Sequence, residues 1–380
     1  VYRHAAKADS VQQRRPNVVL IMMESMSAKF MKHFGQSETL TPFLDSLYTR
    51  SISFRNFYSA GIHTNHGLYA TLYSFPAMMK RNLMKGSVIP RYSGLPTVLK
   101  ENGYYNLFFM THEGQYDNMN AFFRTNGYDE VFSQEDYPAD KVVNSFGVQD
   151  DFLYDYAIPV LNQRAATGQP FFATLLSISN HPPYVIPPFF HPKTSEPEMQ
   201  IVEYADWALR QFFEEARKQP WFDNTIFVLE GDHGKLVGDA ECELPESYNH
   251  IPLMIYSSRI QPEEKTTFGG QVDIQPTILG LLNIDYLQNN FGVDLLKEER
   301  PCMFYTADNM VVGRNDTLLY LYNYETQQEL TYDIGNGKLN AVPMDDSFLP
   351  LKEYSFSMLQ SAEFLVKHGK TLNSIPFTQQ

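Results

Sequence analysis

Residues 225–234 constrain this chain more than any other stretch. Thr225-Ile226-Phe227-Val228-Leu229 is β-branched, aromatic and apolar without alternation, the pattern of a strand buried on both faces of a parallel sheet. It runs straight into Gly231-Asp232-His233-Gly234. Open α/β sheets place ligands beyond the carboxyl ends of such strands. A carboxylate beside an imidazole, with glycine on both sides freeing the backbone path, suits a divalent cation there. Taken alone, the pair fits a plain surface loop equally well.

Other apolar runs end in the same way. Residues 17–23 lead to Glu24 and Ser25, residues 105–110 to Thr111, His112 and Glu113, and residues 171–179 to Asn180-His181-Pro182-Pro183. Residues 51–58 form another strand, and the helix that follows at residues 68–72 puts Thr64 near a helix N-terminus, where free N–H groups and the dipole favour an anion. Each residue has an ordinary alternative: Glu24 as a loop acid or N-cap, Thr64 as a helix cap, His112 and His181 as hydrogen-bonded loop histidines. Their convergence is what points to a metal site, because a parallel sheet gathers its strand ends along one edge.

The remaining elements complete an α/β domain. Helices are expected over residues 40–48, with Thr41 as N-cap and Pro42 at the first helical position, and over 94–101, 150–161, 202–216 and 271–282. Residues 114–140 show no period and read as a loop or irregular subdomain over the site. The proline-rich residues 185–198 wrap the surface. An acidic loop at 238–249 precedes His250 and a short strand at 252–256. From Cys302 the character changes to short aromatic and alternating runs at 303–306, 317–324 and 329–332, which suit a small antiparallel sheet, with a helix at 350–368. The expected organisation is a polar lead-in over 1–15, a catalytic domain over 16–300 with a mostly parallel central sheet flanked by helices, and an α+β subdomain over 301–380.

With 380 residues the chain is long enough for a large buried core. Its net charge of −14, with no basic block, argues against a nucleic-acid partner. Cys242 and Cys302 form neither a disulfide framework nor a metal-ligand spacing, and a single bridge between them stays open. No apolar run reaches the length of a membrane span, and the chain opens on polar, basic sequence rather than a signal peptide. This is the expectation for the soluble portion of something longer.

The sequence resembles the alkaline phosphatase and sulfatase superfamily, and within it the lipoteichoic acid synthase branch of phosphoglycerol transferases. The resemblance spans roughly residues 16–285. It rests on Glu24 after the first strand, Leu40-Thr41-Pro42-Phe43-Leu44, Thr64 before its helix, Asn180-His181-Pro182, Gly231-Asp232-His233-Gly234 and Val272-Asp273-Ile274-Gln275-Pro276-Thr277. It implies that Glu24, Thr64, Asp232 and His233 bind one divalent cation, that Thr64 is the nucleophile, and that His181 contacts the substrate's phosphate. The hard, oxygen-rich ligand set fits manganese or magnesium, with zinc admissible. His112, Asn118 and His250 join His181 as candidate substrate contacts. The family's usual N-terminal helices are the only basis for expecting membrane attachment, through a segment absent from this chain, and an extracytoplasmic, periplasmic or cell-surface location.

Two departures shape the functional expectation. Thr64 is followed by Asn65-His66-Gly67, not by the Cys/Ser-x-Pro-x-Arg run that sulfatases need, which disfavours sulfate esters. The tryptophan and arginine with which lipoteichoic acid synthases recognise glycerol phosphate are replaced by Gln115-Tyr116-Asp117-Asn118, which leaves phosphoethanolamine open beside phosphoglycerol. The expected function is transfer of a phospholipid-derived group from a phosphodiester donor, through a covalent phosphothreonine, to a glycan or lipid of the cell envelope. A sulfatase-like hydrolase and a non-catalytic glycan-binding protein are the alternatives.

Overall fold

The structure is a computed structural model that describes residues 3–5, 15–86, 88–335 and 337–373. Most of the lead-in at 1–15 lies outside them, but Arg3–Ala5 forms strand β1. In chain order there follow β2 (Asn17–Met23), α1 (Pro42–Tyr48), β3 (Ile52–Tyr58), α2 (Thr64–Tyr73), α3 (Leu95–Glu101), β4 (Tyr105–Phe109), α4 (Met119–Thr125), β5 (Glu130–Phe132), α5 (Asp150–Ala165), β6 (Phe171–Leu176), α6 (Pro197–Ala216) and β7 (Thr225–Gly231). Then come β8 (Leu253–Tyr256), β9 (Glu263–Gly270), α7 (Ile274–Leu281) and β10 (Tyr286–Gln288), which pairs antiparallel with β1. The chain closes with β11 (Met303–Thr306), β12 (Met310–Arg314), β13 (Leu318–Asn323), β14 (Gln328–Gly335), β15 (Lys338–Ala341) and α8 (Leu349–Lys367).

The main sheet has eight strands in the order β5-β4-β6-β2-β7-β8-β3-β9. Its pairings are parallel except at β8, which runs antiparallel to both β7 and β3. This is the mostly parallel α/β sheet that the continuous apolar runs imply. In the central strand β2, Val18, Leu20 and Met22 pack into one core with residues of α2, α3, α4 and α7, while Val19, Ile21 and Met23 pack into a second with residues of α1, α5 and α6. Both faces are covered, so no polar alternation survives in the sequence. Burying each such side chain stabilises the fold by about 1.5–3 kcal/mol.

The carboxyl ends of β2, β3, β4, β6 and β7 therefore lie along one edge. The reversed strand β8 brings its amino end, and with it His250, to the same edge. Beyond the main sheet, β11 to β15 form a five-stranded antiparallel meander in sequence order, as the aromatic runs after Cys302 predict. Helix α8 crosses it, with Ser355 Oγ donating to the Val312 carbonyl at 3.2 Å. No described helix is long and apolar enough to cross a membrane, and Cys242 and Cys302 are both free thiols.

One local expectation is refined, one strand carries no sequence signal, and one cap is corrected. Of the loop or irregular subdomain expected over residues 114–140, the structure has the subdomain, since they hold α4 and the edge strand β5. Phe122, Phe123 and Val131 anchor these in the core, but the elements are too short to display a period. Strand β9 leaves no apolar signal because its first residues, Glu263 to Thr267, are polar, with Glu263, Glu264 and Thr266 exposed on the sheet edge. Thr41 occupies the N-cap position, yet its hydroxyl donates to the Phe30 carbonyl and Asp45. The open N–H groups of α1 are instead taken by Asp206 of α6, which accepts from Phe43 and Leu44 at 2.9 Å each.

The Asp273 motif has a structural use as well. Its carboxylate accepts from Arg300 Nε at 2.8 and 3.0 Å and from the Gly270 and Val293 N–H groups, while Arg300 also reaches Tyr354 of α8. Both side chains are essentially inaccessible to solvent. Removing one partner strands the other charge, so Arg300→Met is expected to lower unfolding stability by about 3–5 kcal/mol. Urea denaturation would measure it.

Candidate active site and metal centre

The sheet edge assembles four of the residues singled out in the sequence. Carboxylate oxygens of Glu24 and Asp232 and a ring nitrogen of His233 all lie within 4.8 Å of one another. His233 Nε2 is 3.9 Å from Glu24 Oε1 and 3.6 Å from Asp232 Oδ2. Thr64 Oγ1 donates to Glu24 Oε2 at 3.4 Å, which brings the hydroxyl at the start of α2 to the same point.

Local backbone geometry aims each group. Ser25 adopts the left-handed conformation at φ 50°, turning the chain sharply after β2, and its N–H donates to Asp232 Oδ1 at 2.8 Å. The His233 N–H also donates to Asp232 Oδ1, at 2.7 Å. Asp232 Oδ2 is buried and unpartnered among the described residues. His233 Nδ1 lies 2.7 Å from the Gly234 carbonyl. An Nδ1–H donated there leaves the Nε2 lone pair facing the two carboxylates, the tautomer a metal ligand requires.

Electrostatics supports a cation. Burial, reinforced by the Asp232 carboxylate, pushes the Glu24 carboxyl well above its ordinary range. Two inaccessible carboxylates this close are costly unless a positive charge joins them. The orphaned Asp232 oxygen, the free Nε2, the Glu24 carboxylate and the Thr64 hydroxyl thus form a donor set fitting a hard divalent ion. Because the proton on Glu24 must leave for the ion to bind, manganese affinity is expected to strengthen as pH rises through the raised Glu24 pKa and to weaken below it. Calorimetric titrations at a series of pH values would show this.

A second layer of residues fixes the first. Asn180 Nδ2 donates to the Glu24 and Ser25 carbonyls at 3.2 Å each, and Lys235 Nζ holds Asn180 Oδ1 at 2.7 Å and Tyr184 OH at 3.0 Å. Burial lowers the Lys235 ammonium to about 8. Gln271 accepts from Ala60 N–H at 2.9 Å and donates to the Asp232 carbonyl at 2.7 Å, tying the loop before Thr64 to the end of β7. Gly67 is required where α2 crosses that strand end, because a Cβ would sit 2.2 Å from the Asp232 carbonyl oxygen. Gly67→Ala is therefore expected to push Thr64 away from Asp232 and cut activity by at least about tenfold, a shift visible in steady-state rates.

The candidate substrate contacts divide. His112 is buried at the end of β4 and carries Tyr116 over its ring at 4.6 Å. Burial, with His181 adding to it, lowers its pKa so that it is neutral near pH 7. His181 is held by the Pro182 carbonyl at 2.6 Å and packs on Phe146 at 4.0 Å. These two rings lie close enough for His181 to act on the His112 pKa. Asn118 and His250 are engaged elsewhere: the Asn118 amide donates to the Met84 carbonyl at 3.3 Å. His250 Nε2 meets the Arg55 carbonyl at 2.7 Å, with its ring stacked on Tyr58.

Asp117, not Asn118, reaches the nucleophile's neighbour, accepting from Asn65 Nδ2 at 3.3 Å while pairing with Lys85 at 2.7 Å. His63, just before Thr64, pairs with Asp308, between β11 and β12, at 2.6 Å. Neither partnership leaves a sequence signal, since each joins residues far apart in the chain. Lys235 had one, a cation directly after Gly231-Asp232-His233-Gly234.

A doubly covered, mostly parallel sheet with carboxylates, an imidazole and a hydroxyl converging at its carboxyl edge defines an α/β enzyme class whose site can hold a divalent cation. The Sulfatase family model matches residues 16–284, and the chain belongs to that family as one of its enzymes. Lipoteichoic acid synthase 1 of Bacillus subtilis is 25% identical over 85% of this chain and 53% of its own length. Phosphoglycerol transferase I of Xanthomonas campestris is 25% identical over 80% of this chain and 46% of its own. The chain thus spans about half the length of these relatives. Among solved structures, an alkaline phosphatase superfamily protein from Vibrio parahaemolyticus superposes with a TM-score of 0.85 at 27% identity, covering 95% of this chain and 89% of that one. The lipoteichoic acid synthase LtaP from Listeria monocytogenes shares the fold with a TM-score of 0.79 at 21% identity, covering 93% of each chain.

Proposed function

We propose that this chain is the catalytic portion of a metal-dependent phosphotransferase. It takes phosphoglycerol, or a similar head group, from a phospholipid and gives it to a glycan or lipid of the cell envelope, acting outside the cytoplasm at the membrane. The observation that carries this reading is the Thr64 hydroxyl, 3.4 Å from the Glu24 carboxylate at the N-terminus of α2, beside Asp232 and His233. Its relatives' names, lipoteichoic acid synthase and phosphoglycerol transferase, agree with it.

Glu24, Thr64, Asp232 and His233 would hold one divalent ion, which supplies a lowered hydroxyl pKa and neutralises charge on the phosphoryl oxygens. Thr64 Oγ1 gives its proton to solvent and attacks the donor phosphorus. The bond from phosphorus to the lipid alkoxide breaks, and diacylglycerol leaves with a proton supplied by His181 or solvent. The first N–H groups of α2, unpaired within the helix, face the phosphothreonine anion. His112, its Nδ1 held 3.2 Å from the Glu113 carbonyl, would meet the substrate through Nε2. The acceptor hydroxyl then attacks the same phosphorus, the bond to Thr64 Oγ1 breaks, and the acceptor's proton restores the Thr64 hydroxyl by way of solvent. Ser25 and Asn180 keep Glu24 aimed throughout.

Water in place of the acceptor would make the enzyme a hydrolase. Product analysis with phosphatidylglycerol and manganese, with and without a carbohydrate acceptor, separates the two. The expected result is diacylglycerol together with phosphoglycerol on the acceptor. Free glycerol phosphate formed at the same rate with the acceptor present would overturn transfer.

A further inference from the structure

The chain's acidity is uneven. Residues 46–100 contain no Asp or Glu, although the whole carries a net charge of −14. The second half of that span supplies Lys80, Arg81, Lys85 and Arg91 within the segment joining α2 to α3. This segment turns Phe75, Leu83, Met84 and Tyr92 into the core and leaves those four cations exposed. Val88 stands out among them at 80% exposure, the highest of any large apolar side chain among the described residues.

The segment runs from the site's mouth to the end of α8. At one end Lys85 pairs with Asp117, which holds Asn65 beside Thr64. At the other, the Arg91 carbonyl accepts from Thr371 Oγ1 at 2.5 Å, and Ser93 N–H donates to the Thr371 carbonyl at 3.0 Å. There the end of α8 and the residues after it add exposed Lys367 and Lys370, the latter 5.6 Å over the ring of Phe364, which is itself 51% exposed; Leu372 is 38% exposed. Beside it opens a groove of about 820 Å³ lined by Phe291, Val293, Tyr354, Met358, Phe364 and Leu365. Among the described residues, Lys80, Arg81, Arg91, Lys367 and Lys370 enter no ion pair. Glu101 and Glu363 are the acids closest along the chain.

We infer that this face, from Lys80 to Arg91 and across the end of α8, docks the catalytic domain itself onto an anionic phospholipid bilayer. Unpaired cations around exposed apolar tips match a surface whose head groups are negative and whose interior is apolar. The face borders the nucleophile, so docking sets the mouth of the site against the plane where head groups lie. The groove takes an acyl chain drawn from the same bilayer. The inference rests on a phospholipid donor but adds a surface on this chain's own residues.

Co-sedimentation with vesicles of phosphatidylcholine alone, and of phosphatidylcholine with phosphatidylglycerol, tests it at low and high salt. The chain is expected to bind only the vesicles containing phosphatidylglycerol and to release at high salt. At low salt, Arg91→Glu and Lys370→Glu are each expected to weaken binding at least about fivefold, and Val88→Asp to weaken it as well. All three lie on the surface and are expected to keep the parent's melting temperature and its turnover of a short-chain, monomeric phosphodiester. Equal binding to both vesicles, no binding to either, or three variants that bind like the parent would overturn the inference. Binding without turnover of any lipid would instead count against the proposed reaction, and turnover of dispersed lipid without vesicle binding against docking alone.

Discussion

Thr64→Ala is expected to lose at least about 10⁴-fold in turnover of a phospholipid donor while keeping its fold. Removing a nucleophile that acts as a unit with its activating groups leaves only binding and electrostatic stabilisation. The hydroxyl lies at the surface of the cluster and holds no core contact whose loss would unfold α2, whose anchoring residues are Leu68, Tyr69, Leu72 and Tyr73. Melting temperature should therefore stay close to the parent's. Manganese binding should weaken only modestly, because Glu24, Asp232 and His233 remain. Steady-state rates beside a calorimetric manganese titration read both halves. A variant that keeps more than about one hundredth of the parent's turnover would mean that Thr64 is not the attacking group.

Asp232→Asn carries the second large effect, and it falls on the ion. Asp232 Oδ1 accepts from two backbone N–H groups, at Ser25 and His233, so it already positions two neighbours of the site. Its other oxygen is buried and unpartnered. Replacing that carboxylate by an amide removes a negative donor and sets an NH2 group against either the backbone N–H groups or the ion. Manganese affinity is expected to fall by more than about 100-fold, beyond the loss seen for outer-layer partners. The change relieves the repulsion that raises the Glu24 pKa, so the metal-free variant should be no less stable than the metal-free parent at neutral pH. The sign follows from linkage: a carboxyl whose folded pKa is raised opposes folding above its unfolded pKa, and Asp232 contributes to that rise. Thermal melts with and without manganese would show the parent gaining stability from the ion and the variant gaining almost none.

Much of this was legible because apolar runs in a parallel sheet lack alternation and end on its functional edge. Glu24, Asp232 and His233 could be found without a structure because each directly follows such a run, and Thr64 because a helix begins there. Strand β9 and helix α4 were not, the first because an exposed edge strand is polar, the second because seven residues give no period. Asn118 and His250 show the limit of position alone. Both sit at the right edge of the sheet, but a side chain's direction depends on its packing, and Tyr58 and Met84 draw these two aside. Asp117, Lys85 and Asp308 reach the rim of the site across long sequence separations, which no local pattern encodes.

The central claim is that Thr64 carries the transferred group between donor and acceptor. Intact mass and peptide mapping after incubation with manganese and phosphatidylglycerol, without acceptor, test it most directly. The account predicts an added phosphoglycerol on the peptide containing Thr64, absent from Thr64→Ala and discharged on adding the acceptor. Donor consumption with no adduct on Thr64 at any time after rapid acid quench, or an adduct that persists in Thr64→Ala, would contradict it.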